Sequence, residues 1–596
     1  MGNKLKALSA KLRLGLRNAS YPDFWLFLLG GTIGWISGIV VTVMSRLTQL
    51  LHRLLFQIPF DERLSSQDHL LSPWLALVPA VGGIVLVLAG LAFRGRIKRP
   101  TVDPIEANAL HGGQMSLVES LLVSLQTMIS SGFGASVGLE AGYTQASAAI
   151  ASKVAVALNL RRAEVRLLVG CGAAAAISAA FNAPLAGAFY AFETIMGSYN
   201  VSVVAPVLAA AMTASFAARL MGAVQMPLLI GSLRPMTSLV EVIPYLFVGG
   251  LSALLAIAVM RLVILFERAF NFLRCPVWLR PVIGGLIVGA FALVTPHILS
   301  SGHGALHVEM QDSDTWQVLL LFFGLKVLAS SISLGSGFRG GLFFASLYLG
   351  LLFGKGLALA LFALGMLGKS SSELFAIVGM ASLAVGIVGG PMTMTLLIME
   401  STLDLGATGA VLSACIVAST VVRSVFGFSF STWRLHLRGE SIMGAHDVGR
   451  VRGLTVASLM RKEVQTVPFD MQLGEFRQCF PLGSHQRVIA LDKHDQYVGL
   501  LLVTDAYSLE ADGQNSTIQF LLKQKDHVLL PVMSVDLAAK MFRQSNSEEL
   551  VVLESAWSRK VIGLLTEQHM LRRYSEELDK SHRDLAGLGR TSLDRS

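Results

Sequence analysis

Several long stretches of this chain contain no Asp, Glu, Lys or Arg, among them residues 24–44, 74–93, 167–192, 242–260 and 405–422. Most of them reach the roughly 20 residues that an α-helix needs to cross a bilayer. Backbone polar groups in the bilayer core must be paired internally, so such stretches have to be helical. Because 53% of the residues are hydrophobic and only 15% are charged, we predict a helical protein that spans the membrane several times.

The charged residues are unevenly distributed. They concentrate after residue 450, which predicts a soluble C-terminal region. Residues 1–20 form a basic segment that lacks the apolar core and cleavage site of a signal peptide, so we expect the mature protein to retain it. Basic clusters around Arg94, Arg161 and Arg268 favour cytoplasmic loops. We therefore predict a multi-pass protein of a bacterial-type inner membrane with both termini in the cytoplasm.

The apolar region contains an internal repeat. The segment "SGFGASVGLEAGY", which starts at Ser131, is echoed by "SGFRGGLFFASLY", which starts at Ser336. A second pair of similar segments ends at Glu193 and Glu400. Either echo alone could arise by chance in apolar sequence, but two echoes at nearly the same offset favour duplication, with halves at about residues 74–220 and 280–430. Duplicated transporter halves commonly have inverted topology and hold their substrate between broken helices near the membrane midplane.

Glycine clusters interrupt the apolar stretches at "SGFG", "GSGFRGG" and "VGGP". Each cluster could begin or end a helix inside the membrane, and the free N–H groups of a helix start attract anions. Close packing of helices through small residues is the alternative. The sequence leaves both interpretations open.

The pattern changes at residue 454. β-like apolar runs alternate with helical segments, as in "RVIALDKHDQYVGLLLVTDAY", and this alternation predicts a soluble α/β unit. We place two similar halves at residues 454–510 and 511–575, after a linker at 441–453 and before a C-terminal tail at 576–596. The membrane domain then covers residues 21–440.

The glycine-rich and repeated segments of the membrane domain resemble those of the CLC family of chloride channels and chloride/proton antiporters. The C-terminal region resembles a pair of CBS domains. The most specific piece is "CGAAAAISAAFNAPLAGAFYAFE", which is similar to a helix pair of that family. "GLEAG" stands where the family has Gly, a basic residue, Glu, Gly and Pro. The resemblance implies an all-α polytopic membrane domain with inverted repeats, followed by a soluble α/β CBS-pair domain. It also implies a homodimer with a separate anion path in each subunit.

The resemblance implies that Glu140 is a gating glutamate, whose carboxylate occupies an anion site until it is protonated or moves away. An ionised carboxylate is costly in an apolar setting unless helix N-termini stabilise it, and the same amides would stabilise chloride in its place. A structural glutamate paired with an arginine or with backbone is the alternative. The implied anion-binding residues are Thr101, Gly138, Leu139, Ala141, Gly341, Leu342, Phe343, Phe430 and Ser431.

Two anion-path motifs depart from the family pattern. The first motif has only "RPTVDP" as its counterpart, with Thr101 in the place of the hydroxyl residue and Pro104 matching the proline. The motif that contains Phe343 has Ala345 in the place of its proline. The tyrosine that usually closes the path falls at Phe430 or Ser431.

The expected proton path is also altered. The internal glutamate of the antiporters falls at Thr194, one position after Glu193, so both are candidate proton-path positions. Glu193 and Glu400 could carry protons, but their equivalent places in the repeat favour a structural role at helix ends. Three lysines near apolar runs could draw anions inward, although extension of their side chains towards the interface explains them more simply; these are Lys153, Lys326 and Lys355.

CBS pairs often bind adenine nucleotides through a Ser/Thr-x-x-Asp element. The candidate threonines here are Thr504 and Thr566, and the residues three positions later are Tyr507 and His569. The sequence therefore gives only weak support to a nucleotide site.

We predict transmembrane chloride transport, either as passive conduction or in exchange for protons, with chloride, protons and the lipid bilayer as the partners. Nucleic acid is not an expected partner. No catalytic constellation, Walker motif or metal-ligand cluster indicates an enzyme, and no cofactor is expected apart from the nucleotide considered above. The alternatives are a membrane sensor that acts through its CBS pair and a transporter of another anion, such as nitrate or fluoride.

Overall fold

The computed structural model describes residues 22–59, 62–93, 101–197, 199, 201–223, 239–311, 314–365, 372–439, 454–508, 517–555 and 557–585. The chain divides into two compact units, which we call the membrane unit (residues 1–447) and the soluble unit (residues 448–596). The predicted N-terminal segment 1–20, the linker 441–453 and residues 586–596 of the predicted tail lie outside the described residues.

The membrane unit is helical throughout its described part. Its helices are α1 (Pro22–Phe56), α2 (Val78–Phe93), α3 (Pro104–Leu110), α4 (Leu117–Gly132), α5 (Glu140–Ala157), α6 (Arg162–Phe181), α7 (Pro184–Tyr190), α8 (Val201–Leu220), α9 (Ile243–Phe272), α10 (Arg280–Ala292), α11 (His303–Gln311), α12 (Trp316–Ser336), α13 (Phe343–Ala363), α14 (Ser372–Val388), α15 (Pro391–Thr402), α16 (Leu405–Val425) and α17 (Phe430–Leu437). A short π-helical segment, Ala191–Met196, continues α7.

Eight helices of the described chain are long and apolar enough to cross a membrane. Large apolar side chains such as those of Phe247 and Phe272 are exposed on the unit, as a lipid-facing surface requires. The predicted multi-pass helical architecture is confirmed.

One predicted span is broken. The uncharged stretch 167–192 forms two helices, because α6 ends at Phe181 and Asn182 adopts a left-handed conformation with φ of 52°. Pro184 then opens α7, where its missing N–H costs nothing. Hydropathy alone could not reveal this break, since Asn182 is a single polar residue in an apolar run.

The two halves of the membrane unit share one pattern, and we call them the first repeat (α4–α8) and the second repeat (α12–α16). In each repeat, a long helix leads through a glycine-containing break to a second helix, and a broken helix follows whose second part begins with proline. The buried apolar side chains form two large clusters, one mainly within each half. The glycine clusters at the breaks therefore lie at helix ends, as the first of the two interpretations expects.

The soluble unit contains two similar α/β halves. The elements are α18 (Val456–Leu459), β1 (Thr466–Pro468), α19 (Leu473–Cys479), β2 (Arg487–Leu491), β3 (Tyr497–Leu502), α20 (Val535–Ser545), β4 (Glu549–Leu553), β5 (Val561–Thr566) and α21 (Glu567–Leu585). In the first half, β1 pairs parallel with β2 and β2 pairs antiparallel with β3. In the second, Leu529 bridges parallel to Val552 in β4, and β4 pairs antiparallel with β5.

The two halves of the soluble unit are not each built from one continuous stretch of sequence. Val456 and Leu459 of α18, which the sequence assigns to the first half, are buried in the apolar cluster of the second half. The backbone fixes this arrangement, because Val456 N–H donates to Met533 O and Arg461 N–H donates to Leu564 O. The segment before β1 therefore completes the second half.

Candidate functional site

A cavity of about 130 Å³ lies where the ends of several helices meet in the membrane unit, and we call it the Glu140 cavity. It is lined from both repeats and by α3 and α17. Eight of the residues that the sequence predicts for the anion and proton paths line it, namely Glu140, Ala141, Thr194, Gly341, Leu342, Phe343, Phe430 and Ser431. Residues that are distant in sequence thus meet in one place.

Glu140 is the first residue of α5, and only 3% of it is exposed. Both of its buried carboxylate oxygens lack a hydrogen-bond partner. The backbone amides of Glu140 itself and of Phe344 act favourably on the ionised carboxylate, as does the charge of Lys326. A buried carboxylate without well-formed hydrogen bonds is costly.

The two repeats are joined directly behind this carboxylate. Gly138 N–H donates to Gly341 O at 2.9 Å, and Gly341 N–H donates to Gly138 O at 3.1 Å, in an antiparallel bridge. A Cβ on Gly138 would lie 2.0 Å from Glu140 Oε2, so a side chain at this position would displace the carboxylate. Gly138 and Leu139 therefore support the lining of the cavity without being part of it.

Aromatic residues surround the rest of the cavity. The ring of Phe343, at the start of α13, lies 6.0 Å from that of Tyr190. Phe430 opens α17, where Ser429 caps the helix. Tyr190 itself lines the cavity, and the sequence analysis missed it. Its phenol is a hydroxyl-bearing group in a path where the expected tyrosine position holds Phe430 or Ser431.

Thr194 belongs to the π-helical segment after α7. Its hydroxyl donates to Tyr190 O at 2.6 Å. The position of the family's internal glutamate therefore faces the cavity, but with a hydroxyl that is already engaged with backbone. It has no carboxylate that could release a proton.

Glu193, the second candidate for the proton path, is held by a helix N-terminus of the other repeat. Its carboxylate accepts hydrogen bonds from Met392 N at 3.0 Å, from Thr393 N at 2.9 Å and from the Thr393 hydroxyl at 2.6 Å. Glu400 does the same in reverse, since it accepts from Leu185 N and Ala186 N at 2.9 Å each. Each glutamate thus caps the short proline-led helix of the opposite repeat, in keeping with the structural reading.

Thr101 is not among the residues that line the cavity. Asp103, two positions later, lines it instead. Asp103 is the N-cap of α3, and its Oδ1 accepts from Ile105 N at 2.9 Å. The matched Pro104 begins the helix, so the residue just before it reaches the cavity and the predicted hydroxyl does not.

The three lysines differ in their surroundings. Lys326 is fully buried, and its Nζ donates to Ile298 O and Ser300 O at 2.9 Å each. Lys355 is buried and donates to Glu309 O. The expectation that their side chains extend to the interface is wrong for both, because backbone carbonyls satisfy them internally. Lys153 is exposed, as that expectation requires.

In the soluble unit, neither candidate threonine stands beside a free aspartate. Thr504 precedes Asp505, whose Oδ2 lies 2.7 Å from Lys523 Nζ. The Thr566 hydroxyl accepts from His569 N at the start of α21. Burial and the charges of Arg572 and Arg461 lower the pKa of His569.

In the part of the chain that the structure describes, no group of three or more His, Cys, Asp or Glu residues could hold a metal ion. The four cysteines are free, and Cys171 and Cys415 are buried. The Glu140 cavity is lined by two carboxylates, two guanidinium groups, backbone amides, hydroxyl groups and aromatic rings. Such a set of groups can bind and release an anion.

Comparison with known proteins gives three consistent findings. The family model described as voltage gated chloride channel matches residues 99–423. A protein named as a ClcB-like chloride channel protein from Ralstonia nicotianae is 33% identical over 362 residues, which cover 58% of this chain and 82% of that protein. A cyanobacterial Cl⁻/H⁺ antiporter of known structure covers 69% of this chain and 97% of its own, with a TM-score of 0.58 and 21% identity.

A second solved structure extends the likeness of fold. A eukaryotic CLC transporter covers 94% of this chain and 98% of its own, with a TM-score of 0.58 and 14% identity. At these identities the two structures bear on the fold alone.

Proposed function

The chain belongs to the voltage-gated chloride channel family, and from this premise we propose that it moves chloride across a membrane through the Glu140 cavity. The observation that carries the proposal is the buried carboxylate of Glu140, which has no hydrogen-bond partner and lies where the two repeats meet. A binding site for a small anion needs amides and partial positive charge without a fixed counter-charge. Glu140 occupies that kind of site and can leave it.

The mechanism follows from competition for one position. While it is ionised, the Glu140 carboxylate takes the favourable electrostatics of the Phe344 amide and Lys326. A chloride ion in the same place receives the same stabilisation once the carboxylate moves away or is protonated. Because the site is buried, the electrostatic attraction between the site and either anion is stronger than it would be in water. The carboxylate and chloride cannot occupy the site at the same time.

Chloride flux tests this proposal directly. Purified protein in chloride-loaded liposomes should release chloride when a potassium ionophore relieves the build-up of charge. Glu140→Gln keeps the shape and removes the charge, so it should preserve or raise the flux and abolish its dependence on external pH. Glu373→Gln is the matched control, because Glu373 also lies in the first turn of a helix but is exposed. No release from folded wild-type protein, or an unchanged pH dependence in Glu140→Gln, would contradict the proposal.

Conduction and exchange stay open as two forms of this transport. Thr194 has no carboxylate, and Glu193 is engaged in capping α15, which favours passive conduction. In an exchanger, a chloride gradient drives protons uphill and Glu140→Gln uncouples the two. In a channel, wild-type protein moves no protons uphill, and Thr194→Glu alone need not install coupling because Phe430 and Ala345 also shape the path.

We also propose that the soluble unit is a CBS pair and that the protein is a homodimer in a bacterial inner membrane with both termini in the cytoplasm. The matching topology of the two halves supports the first point, and the family resemblance and basic loops support the others. A nucleotide at Thr504 or Thr566 is a weaker proposal. Titration calorimetry with ATP and AMP tests it, and no heat of binding is expected if the missing aspartates are essential.

A further inference from the structure

A second carboxylate, Asp103, lines the Glu140 cavity. Its Oδ1 is engaged with Ile105 N. Among the described residues, no side chain makes a hydrogen bond or an ion pair with it. A carboxylate in an anion path repels the ion that has to pass, so its presence calls for a physical account.

Two arginines face this part of the cavity. Arg434 on α17 and Arg438 just after it both line the cavity, and both act electrostatically on Asp103. Arg339, from the glycine-rich segment before α13, acts in turn on Arg434. Glu106 takes up part of this positive charge, since Arg438 Nη1 lies 3.9 Å from Glu106 Oε2. The arginines thus form a cationic wall to which Asp103 is a nearby but unpaired counter-charge.

The two carboxylates of the cavity are separate from each other. Tyr190 feels the charge of both Asp103 and Glu140, while neither carboxylate is among the groups that act on the other. An anion in the cavity is therefore exposed to both carboxylates. The titratable and charged groups that face Asp103 are Glu106, Tyr190, Arg434 and Arg438.

We propose that Asp103 is a second anion-competing carboxylate, which lies near Arg434 and Arg438 and competes with chloride for their positive charge. This inference rests on the proposed function and adds a residue to it. Exchange of the carboxylate for chloride leaves the charge beside the arginines unchanged, so the electrostatic cost of the exchange is small. The carboxylate also keeps the wall compensated when chloride has left. Glu140 and Asp103 then act as two competitors for anions in one cavity.

Chloride binding to the detergent-purified full chain, measured by titration calorimetry, tests the inference without requiring transport. Asp103→Asn removes the charge and should tighten chloride binding roughly fivefold, the ratio that a repulsion of about 1 kcal/mol produces. Arg434→Gln should weaken binding. Asp103→Ser is a second uncharged variant. It should keep the cap of α3, because serine is a good N-cap residue, and so it separates the loss of charge from the loss of the cap.

Glu106→Gln is the matched control. Glu106 lies on the same helix and near the same arginine, but it does not line the cavity, so chloride affinity should stay within about twofold. Unchanged or weaker binding in both Asp103 variants, or an equal gain in Glu106→Gln, overturns the inference. If wild-type protein still releases chloride from liposomes, the proposed function survives that result. Absence of both binding and flux in the wild type overturns both.

Discussion

The two repeats of the membrane unit share a scaffold but not a chemistry. Each has a helix, a glycine-containing break and a new helix whose start borders the Glu140 cavity, and the breaks are joined by the Gly138–Gly341 bridge. The first repeat begins its new helix with Glu140, whereas the second begins with Phe343. Duplication supplies two helix starts that can hold an anion. Only the start of α5 carries a carboxylate of its own, that of Glu140. The asymmetry marks the functional residue.

Two other glutamates are symmetric between the repeats. Glu193 and Glu400 occupy equivalent places in the two repeats, and each caps a helix of the other repeat. A residue that has the same role in both repeats serves a need that both repeats have, which here is to provide an acceptor for the free amides at a helix start. Symmetry thus separates the structural carboxylates from the proposed gating carboxylate within one fold.

The largest effect on stability is expected for Glu193 and Glu400, which have the same structural role in the two repeats. Glu193→Ala leaves two amides and a hydroxyl without an acceptor, and Glu400→Ala leaves two amides, so we expect losses of about 3 and 2 kcal/mol in unfolding free energy. The apparent melting temperature in detergent measures both. Glu373→Ala, at an exposed helix start, should change stability by less than about 0.5 kcal/mol. A stable Glu193→Ala protein with altered proton movement would instead assign Glu193 to the proton path.

A smaller and purely functional difference is expected for the bridging glycines. A Cβ at Gly138 would lie 2.0 Å from Glu140 Oε2, whereas a Cβ at Gly341 would lie 3.4 Å from Ala141 Cβ. Gly138→Ala should therefore displace the flexible carboxylate and weaken the pH dependence of chloride flux. Gly341→Ala should leave that dependence intact, since its contact is an ordinary one. The comparison between repeats fails if both variants behave alike in the liposome assay.

The smallest difference is expected at the breaks before the proline-led helices. Gly389 has φ of 90°, and its Cβ would meet Ser429 Cβ at 3.0 Å, so Gly389→Ala should cost about 1–2 kcal/mol. Asn182 fills the matching place with φ of 52°, and Asn182→Gly should cost less than about 1 kcal/mol because glycine adopts this conformation freely. Melting temperatures of both variants test this. Asn182→Asp, which keeps the acceptor for Arg219 Nε, is the control.

Local patterns in the sequence predicted much of this molecule. Uncharged stretches predicted a multi-pass helical protein, and the echoes around Ser131 and Ser336 predicted the paired breaks. The expectation that residues around Glu140 and Phe343 meet depended on the family resemblance, because no local signal joins positions so far apart. Hydropathy averaged over Asn182 and so missed the break in the 167–192 stretch.

Features that depend on tertiary contacts could not be predicted. The sequence around Lys326 indicates a lysine at the membrane interface. In the structure, its ammonium is instead buried and donates to the carbonyls of Ile298 and Ser300. Asp103 was passed over for Thr101, because the altered motif was read by residue type and not by which side chain a helix start exposes. In the soluble unit, the hydrogen bond from Arg461 to Leu564 exchanges a segment between halves that look consecutive.

The reciprocal glutamate caps have an evolutionary consequence. A contact in which each half supplies the carboxylate for the other half's helix has the form of an isologous two-fold interface. Two separate, identical chains, each the length of one repeat, could make such a pair of contacts reciprocally. Glu193 and Glu400 therefore fit the remnant of a subunit interface in an ancestral dimer, which gene fusion later enclosed within a single polypeptide.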